Sequence, residues 1–230
     1  MSNLRRLLLV RHGLPDYGGK LPQDDFPGPP LSEIGRSQAL QTAASLSSYG
    51  PLRVYTSPLV RTQQTADLIG RRLRIPVRVE SALREWHHTE GLYEVSVRMS
   101  AWLARWLRGP ETCAVAVSHA SPLLALLRSA LYLPHLPWHR PGQPKVLELS
   151  SGDRFEVSMG SAFELQFEPQ FVTARCAFHP RPRVHHLRHG RMQPGLPRIM
   201  PGSRESCFVR RANWLSIIGY PRAGSARTQP

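Results

Sequence analysis

Cysteine is scarce in this chain. Its 230 residues hold three, Cys113, Cys176 and Cys207, an odd number without close spacing that gives neither a disulfide framework nor a zinc site. A long apolar run is also lacking: the best stretches break at Arg11 or Arg128, well short of the roughly 18 residues that a helix needs to cross a bilayer. Arg5 and Arg6 ahead of four apolar residues imitate a signal peptide, but the longer apolar region and small-residue cleavage site are missing. The expectation is a cytoplasmic protein without a membrane span. There is no internal repeat, and oligomeric state is not readable. With 41% hydrophobic residues, the chain can bury a sizeable core in one domain.

Acidic residues nearly vanish toward the C-terminus. Up to Phe178 there are 20 Lys+Arg against 15 Asp+Glu, whereas from His179 onward 10 arginines face Glu205 alone. That last stretch also holds seven prolines and little periodicity, the composition of a segment unable to offset its ordering entropy. The reading is therefore two parts: residues 1–180 as the folded unit and residues 181–230 as a disordered Arg/Pro-rich tail. Dispersed arginines favour a solvated extension over a nucleic-acid-binding or acidic-lipid-binding arm, which stays open as the alternative.

What is present is a regular alternation. Apolar periodicity predicts strand 6–10, helix 32–48, strand 53–56, helix 59–73, strand 77–79, helix 94–108, strand 113–118 and helix 121–132. Short strands follow at 146–149, 155–157, 162–167 and 171–178, with Ser151-Gly152-Asp153 as a hairpin turn. Ser32 reads as a helix N-cap and Gly50-Pro51 as a stop. The fold class is α/β, a three-layer sandwich whose mostly parallel central sheet is flanked by helices. Gly18 to Pro30, with three glycines and four prolines, reads as a loop over the mouth of a site.

Ligands in such sheets bind at the carboxyl ends of strands. Two apolar strands end there in chemistry: Leu7-Leu8-Leu9-Val10 runs into Arg11-His12-Gly13, and Cys113 to Val117 runs through Ser118 into His119. A third site element is the helix after Ser57-Pro58, with Arg61 in its first turn, where free N–H groups and the positive dipole end favour an anion. Arginine forks suit phosphate oxygens, a neutral imidazole can act as nucleophile, and Gly13 lets the backbone approach a ligand.

Taken together, LLLVRHG at 7–13, LSEIGRSQA at 31–39, YTSPLVRTQQTA at 55–66, LRE at 83–85 and AVAVSHASPLLALL at 114–127 resemble the histidine phosphatase superfamily, the phosphoglycerate mutase-like fold. The resemblance implies a phosphomonoesterase acting on a phosphorylated small molecule through a phosphohistidine on His12. It further implies that Arg11, Arg61 and His119 hold the transferring oxygens, with Gly13 and Ser57 beside the phosphate. Glu85 is implied as the acid for the leaving alkoxide and then the base for water, with a raised pKa; Glu90 is the alternative for that role. No metal and no other cofactor is implied.

Two departures from the family pattern bear on substrate preference: Leu14-Pro15-Asp16-Tyr17 follows the first motif, and Ala120 stands where a glycine often follows the second histidine. Glu85 and His119 lie only 34 positions apart, which leaves little material for a closing lid and favours hydrolysis over a phosphoglycerate-type mutase. A phosphohistidine protein phosphatase and a non-catalytic phosphate-binding protein are the other readings. Specificity is expected from 14–30, 86–98 and 132–145, the last carrying Trp138, His139, Arg140 and Lys145. Arg188-His189-Gly190 repeats the first tripeptide behind His185-His186-Leu187 instead of a buried strand, so it reads as a decoy.

Overall fold

The computed structural model describes residues 4–18, 26–131, 146–148, 154–168 and 171–180. Its elements run β1 (Arg5–Arg11), α1 (Glu33–Leu46), β2 (Val54–Thr56), α2 (Val60–Leu73), β3 (Val77–Val79), α3 (Leu92–Arg108), β4 (Cys113–Ser118), α4 (Ala120–Ala130), β5 (Val146–Glu148), β6 (Arg154–Glu156), β7 (Ala162–Glu168) and β8 (Phe171–Phe178). The sequence-based boundaries agree to within two residues for every helix and strand through α4. The hairpin turn at 151–153, the 132–145 connection, the second Arg-His-Gly and the tail lie outside the described residues.

Six strands form one sheet in the order β3-β2-β4-β1-β7-β8, and β5 with β6 forms a separate antiparallel ribbon. The pairs β3-β2, β2-β4 and β4-β1 are parallel, whereas β1-β7 and β7-β8 are antiparallel. The sheet is thus mixed. Its parallel part is joined through α1 to α3, the helical crossovers that parallel neighbours require.

Side chains alternate across the sheet, and both faces are covered. Leu7, Leu9, Ala114 and Ala116 pack with Val95, Met99, Trp102 and Trp106 of α3 and Leu123, Leu126 and Leu127 of α4. Leu8, Val10, Val115 and Val117 pack with Ala43 and Leu46 of α1 and Ala66 and Ile69 of α2. Double coverage explains why β1 and β4 are apolar runs instead of alternating ones. Each buried leucine of β1 contributes about 1.5–3 kcal/mol of transfer free energy.

Local signals set the helix ends. Ser32 caps α1 by accepting from the Gly35 N–H at 3.1 Å. Gly50, with φ of 63°, ends the short turn after α1 in the left-handed region. Residues 19–25 of the loop expected over the mouth lie outside the described residues; on either side of it Pro15 bridges Leu31 and the Asp16 N–H donates to Pro30 O at 2.8 Å.

Candidate active site

Strand register assembles the site. Val10 and Thr56 both align with Val117, so Arg11, Ser118 and Ser57 occupy the next row at the carboxyl edge. One residue further, His12 and His119 emerge side by side, with the His12 N–H donating to Ser118 O at 3.1 Å. Their ring centroids lie 5.1 Å apart, inclined at 63°. Two tripeptide-scale signals more than a hundred residues apart become neighbours because β1 and β4 are adjacent parallel strands.

The hydrogen bonds of His12 fix its tautomer. Nδ1 lies 2.7 Å from Gly13 O, which can only accept, so Nδ1 carries the hydrogen. Nε2 accepts from the Nε–H of Arg61 at 3.2 Å, so the lone pair is on Nε2 and points to the arginines. Burial, aided by the charges of Arg61 and Arg11, holds the His12 pKa well below the ordinary histidine value. The ring is neutral at neutral pH, with a fixed tautomer.

His119 is fully buried and also neutral, its pKa pushed well down by burial and then by His12, Arg61 and Arg11. Its Nε2 is 2.8 Å from Ser57 Oγ, which also accepts from the Leu59 N–H at 3.3 Å. Its Nδ1 stands 3.6 Å from Glu85 Oε2. Among the described residues, His119 Nδ1 and Arg11 Nε are buried without a hydrogen-bond partner. Polar atoms in that condition at a strand edge suit an anion that brings its own acceptors.

Arg11 is anchored from behind by Nη1 donating to Val157 O at 2.8 Å. Burial lowers its pKa, against the opposing charge of Glu85 and Tyr17. It remains a cation far above neutral pH. Arg61 is 3% exposed and sits at the start of α2, as expected. Of the backbone N–H groups at this helix start, that of Leu59 goes to Ser57 Oγ and that of Val60 to Pro27 O at 2.9 Å. The Arg61 side chain faces His12.

Glu85 follows the short turn Ser81–Leu83, which Ser118 holds by donating Oγ–H to Leu83 O at 2.7 Å. Its Oε1 accepts from the Trp86 N–H at 2.9 Å, which turns Oε2 toward His119. Glu90, the alternative, is elsewhere engaged. It accepts from Arg98 Nε at 2.7 Å and from Arg84 Nη2 at 2.9 Å. Burial opposes its ionisation, but the hydrogen bonds and charges of Arg98 and Arg84 outweigh this and hold its carboxyl below the usual range. A carboxylate so stabilised is a poor proton donor.

Gly13 serves packing first. A Cβ built on it meets Gly35 O at 2.3 Å, and one on Gly35 meets Leu14 O at 2.1 Å. The backbone that Gly13 approaches is that of α1. Three supporting side chains were not singled out by sequence reasoning: Gln38 Oε1 accepts from the Leu14 N–H at 2.8 Å, Thr65 Oγ1 from the Gly13 N–H at 3.2 Å, and Gln64 Oε1 from the Leu31 N–H at 2.7 Å. All three lie inside the quoted motif stretches, which was the available signal.

Asp16 turns its carboxylate back to the Gly18 N–H at 3.0 Å, and Tyr17 is half exposed. Among the described residues no cluster of three or more His, Cys, Asp or Glu could hold a metal ion, and no helix is long and apolar enough to cross a membrane.

Comparison with known proteins agrees with this arrangement. Residues 7–91 match the family model of the histidine phosphatase superfamily (branch 1). Glucosyl-3-phosphoglycerate phosphatase of Mycobacterium tuberculosis H37Rv is 40% identical over 83 residues, 36% of this chain and 37% of that protein. The chain thus spans little more than a third of the length of the first curated relatives it matches. A probable phosphoglycerate mutase of an Enterobacter species is 28% identical over 163 residues, 56% of this chain and 76% of that protein. The solved structure of the mycobacterial glucosyl-3-phosphoglycerate phosphatase is 26% identical, covering 70% of this chain and 89% of that one, with a TM-score of 0.55. Phosphoglycerate mutase from Bacillus anthracis shares the fold at 15% identity and a TM-score of 0.59, over 76% of this chain and 93% of that one. With two strand-end histidines and two arginines at the carboxyl edge of such a sheet, the chain is similar to the histidine phosphatase superfamily over residues 7–91.

Proposed function

We propose that the protein is a phosphomonoesterase that hydrolyses a phosphorylated small molecule through a phosphohistidine on His12. The observation that carries this reading is the fixed tautomer of His12, with its lone pair on Nε2 beside Arg61. Nε2 attacks phosphorus, the P–O bond to the alcohol breaks, and Glu85 gives its proton to the departing oxygen. Water then loses a proton to Glu85 and attacks phosphorus, and the P–N bond electrons return to Nε2.

Arg11, Arg61 and His119 spread the charge of the transferring oxygens, which is where most of the rate comes from in phosphoryl transfer. The bond from His12 Nδ1–H to Gly13 O supports the positive charge that the ring gains on phosphorylation. Ser57 orients His119. Residues 1–180 constitute the catalytic unit in this reading.

Hydrolysis is favoured over mutase chemistry because the 34 positions between Glu85 and His119 are largely taken up by α3 and β4, leaving little chain to close over the intermediate. Glucosyl-3-phosphoglycerate, 3-phosphoglycerate and generic aryl phosphates form the first substrate panel. Steady-state phosphate release without added metal, compared between wild type and His12→Ala, is the test. Release that vanishes with His12 supports the proposal, and undiminished release in the variant refutes it.

A further inference from the structure

Glu85 sits on a loop, yet the proposed chemistry needs its Oε2 placed to within a fraction of an ångström. Something must hold that loop from outside the sheet. Arg98, in the second turn of α3, does so through its whole guanidinium. Nη1 donates to Ala82 O at 2.6 Å and Nη2 to Glu85 O at 3.2 Å, so one planar group grips both sides of the Leu83-Arg84 step.

The guanidinium is itself locked. Nε and Nη2 donate to the two oxygens of Glu90 at 2.7 and 3.1 Å, a bidentate fork. The pair is largely buried, with side chains 14% and 8% exposed. Glu90 in turn takes Arg84 Nη2 on Oε1, and its backbone oxygen accepts from Trp86 Nε1 at 2.6 Å. Residues on both flanks of Glu85 are therefore tied to one ion pair, and the Trp86 N–H that fixes Glu85 Oε1 is held with them.

Burying such a pair is a poor way to gain stability, since desolvation offsets most of the attraction. A buried fork that ends on the carbonyls around a catalytic carboxyl has positional value instead. We propose that Arg98, locked by Glu90, is a positioning residue that aims the Glu85 carboxyl at the leaving oxygen. This inference rests on the phosphohistidine reading above and deepens it.

The leaving group makes the test selective. An alkoxide needs the proton from Glu85, whereas p-nitrophenolate departs largely without it. Rapid-quench measurement of His12 phosphorylation, in which water plays no part, is made with glycerol 3-phosphate and with p-nitrophenyl phosphate. The proteins are wild type, Arg98→Met, Glu90→Gln and Glu85→Gln, each checked by circular dichroism.

The expected result is that Arg98→Met slows phosphorylation from the alkyl ester by roughly 10- to 100-fold and from the aryl ester by less than about threefold, in the same pattern as Glu85→Gln. Glu90→Gln, which preserves volume, gives the same selectivity with a smaller amplitude and carries the test if Arg98→Met does not fold. Equal slowing of both esters, or no slowing, in folded variants overturns the positioning role while leaving the mechanism standing. Failure of the wild type itself to form a phosphohistidine from either ester would overturn the mechanism and this inference together.

Discussion

The Nε–H of Arg61 donates to Nε2 of His12 at 3.2 Å, so the cation that would meet a phosphoryl oxygen already marks the lone pair that would attack phosphorus. Gly13 O at Nδ1 completes the arrangement, and the imidazole has one tautomer and one direction. The same arrangement makes the site sensitive to acid. In the unfolded chain His12 and His119 bind protons below about pH 6.5, whereas in the folded chain both stay neutral to well below that. Where the unfolded state binds more protons, stability rises with pH. Stability is therefore full above about 6.5 and falls on acidification, by up to about 1.4 kcal/mol per pH unit for each histidine. Denaturant unfolding between pH 7 and 5 checks this, with His119→Asn expected to show a shallower loss than wild type.

Gly13→Ala is expected to destabilise the fold by about 3 kcal/mol, because the added methyl meets the Gly35 backbone at 2.3 Å and neither partner can swing away. Gly35→Ala should cost a similar amount for the reciprocal reason. Chemical denaturation measures both. A Gly13→Ala protein of unchanged stability and abolished activity would instead assign this glycine to ligand approach.

Ser57→Ala removes the hydroxyl 2.8 Å from His119 Nε2 and also the acceptor for the Leu59 N–H. Leaving these buried groups unpaired costs about 1–3 kcal/mol of stability. With His119 free to tilt, kcat is expected to fall about tenfold at unchanged fold, consistent with the cost of misplacing a group that contacts the transferring oxygens. Circular dichroism and steady-state kinetics on one preparation separate the two effects.

Removal of residues 183–230 should leave turnover of small substrates within about twofold, if the Arg/Pro-rich stretch takes no part in the site. A large loss would mean that this stretch contributes to catalysis or docks on the catalytic unit. Binding of the full chain to duplex DNA at low salt, lost in the truncated form, would support the alternative of a nucleic-acid-binding arm.

Much of this was legible beforehand, for identifiable reasons. β1 and β4 are buried on both faces along Leu7–Val10 and Cys113–Val117, so those stretches appear as apolar runs, and His12 and His119 each follow the strand end. The five motif stretches carry not only Arg11, His12, Arg61, Glu85 and His119 but also their supports Gln38, Gln64 and Thr65. Less legible was whatever depends on backbone atoms from distant elements. Val157 O anchors Arg11, and Pro27 O occupies the first N–H of α2; neither carbonyl has a side-chain signature. The role of Gly13 depends on how closely α1 crosses the loop after β1, which no local pattern records. The preference for Glu85 over Glu90 gains support from a partner eight residues beyond Glu90 on α3, which spacing within the motif does not record.

The central claim is that His12 Nε2 takes the phosphoryl group. The most direct measurement is to mix the protein with an aryl phosphate, quench at alkaline pH and locate the phosphate by mass spectrometry and phosphorus NMR. One acid-labile phosphoryl group per chain is expected, on Nε2 of His12 and lost in His12→Ala. Turnover with no phosphohistidine at that position, or labelling that survives in His12→Ala, would contradict it.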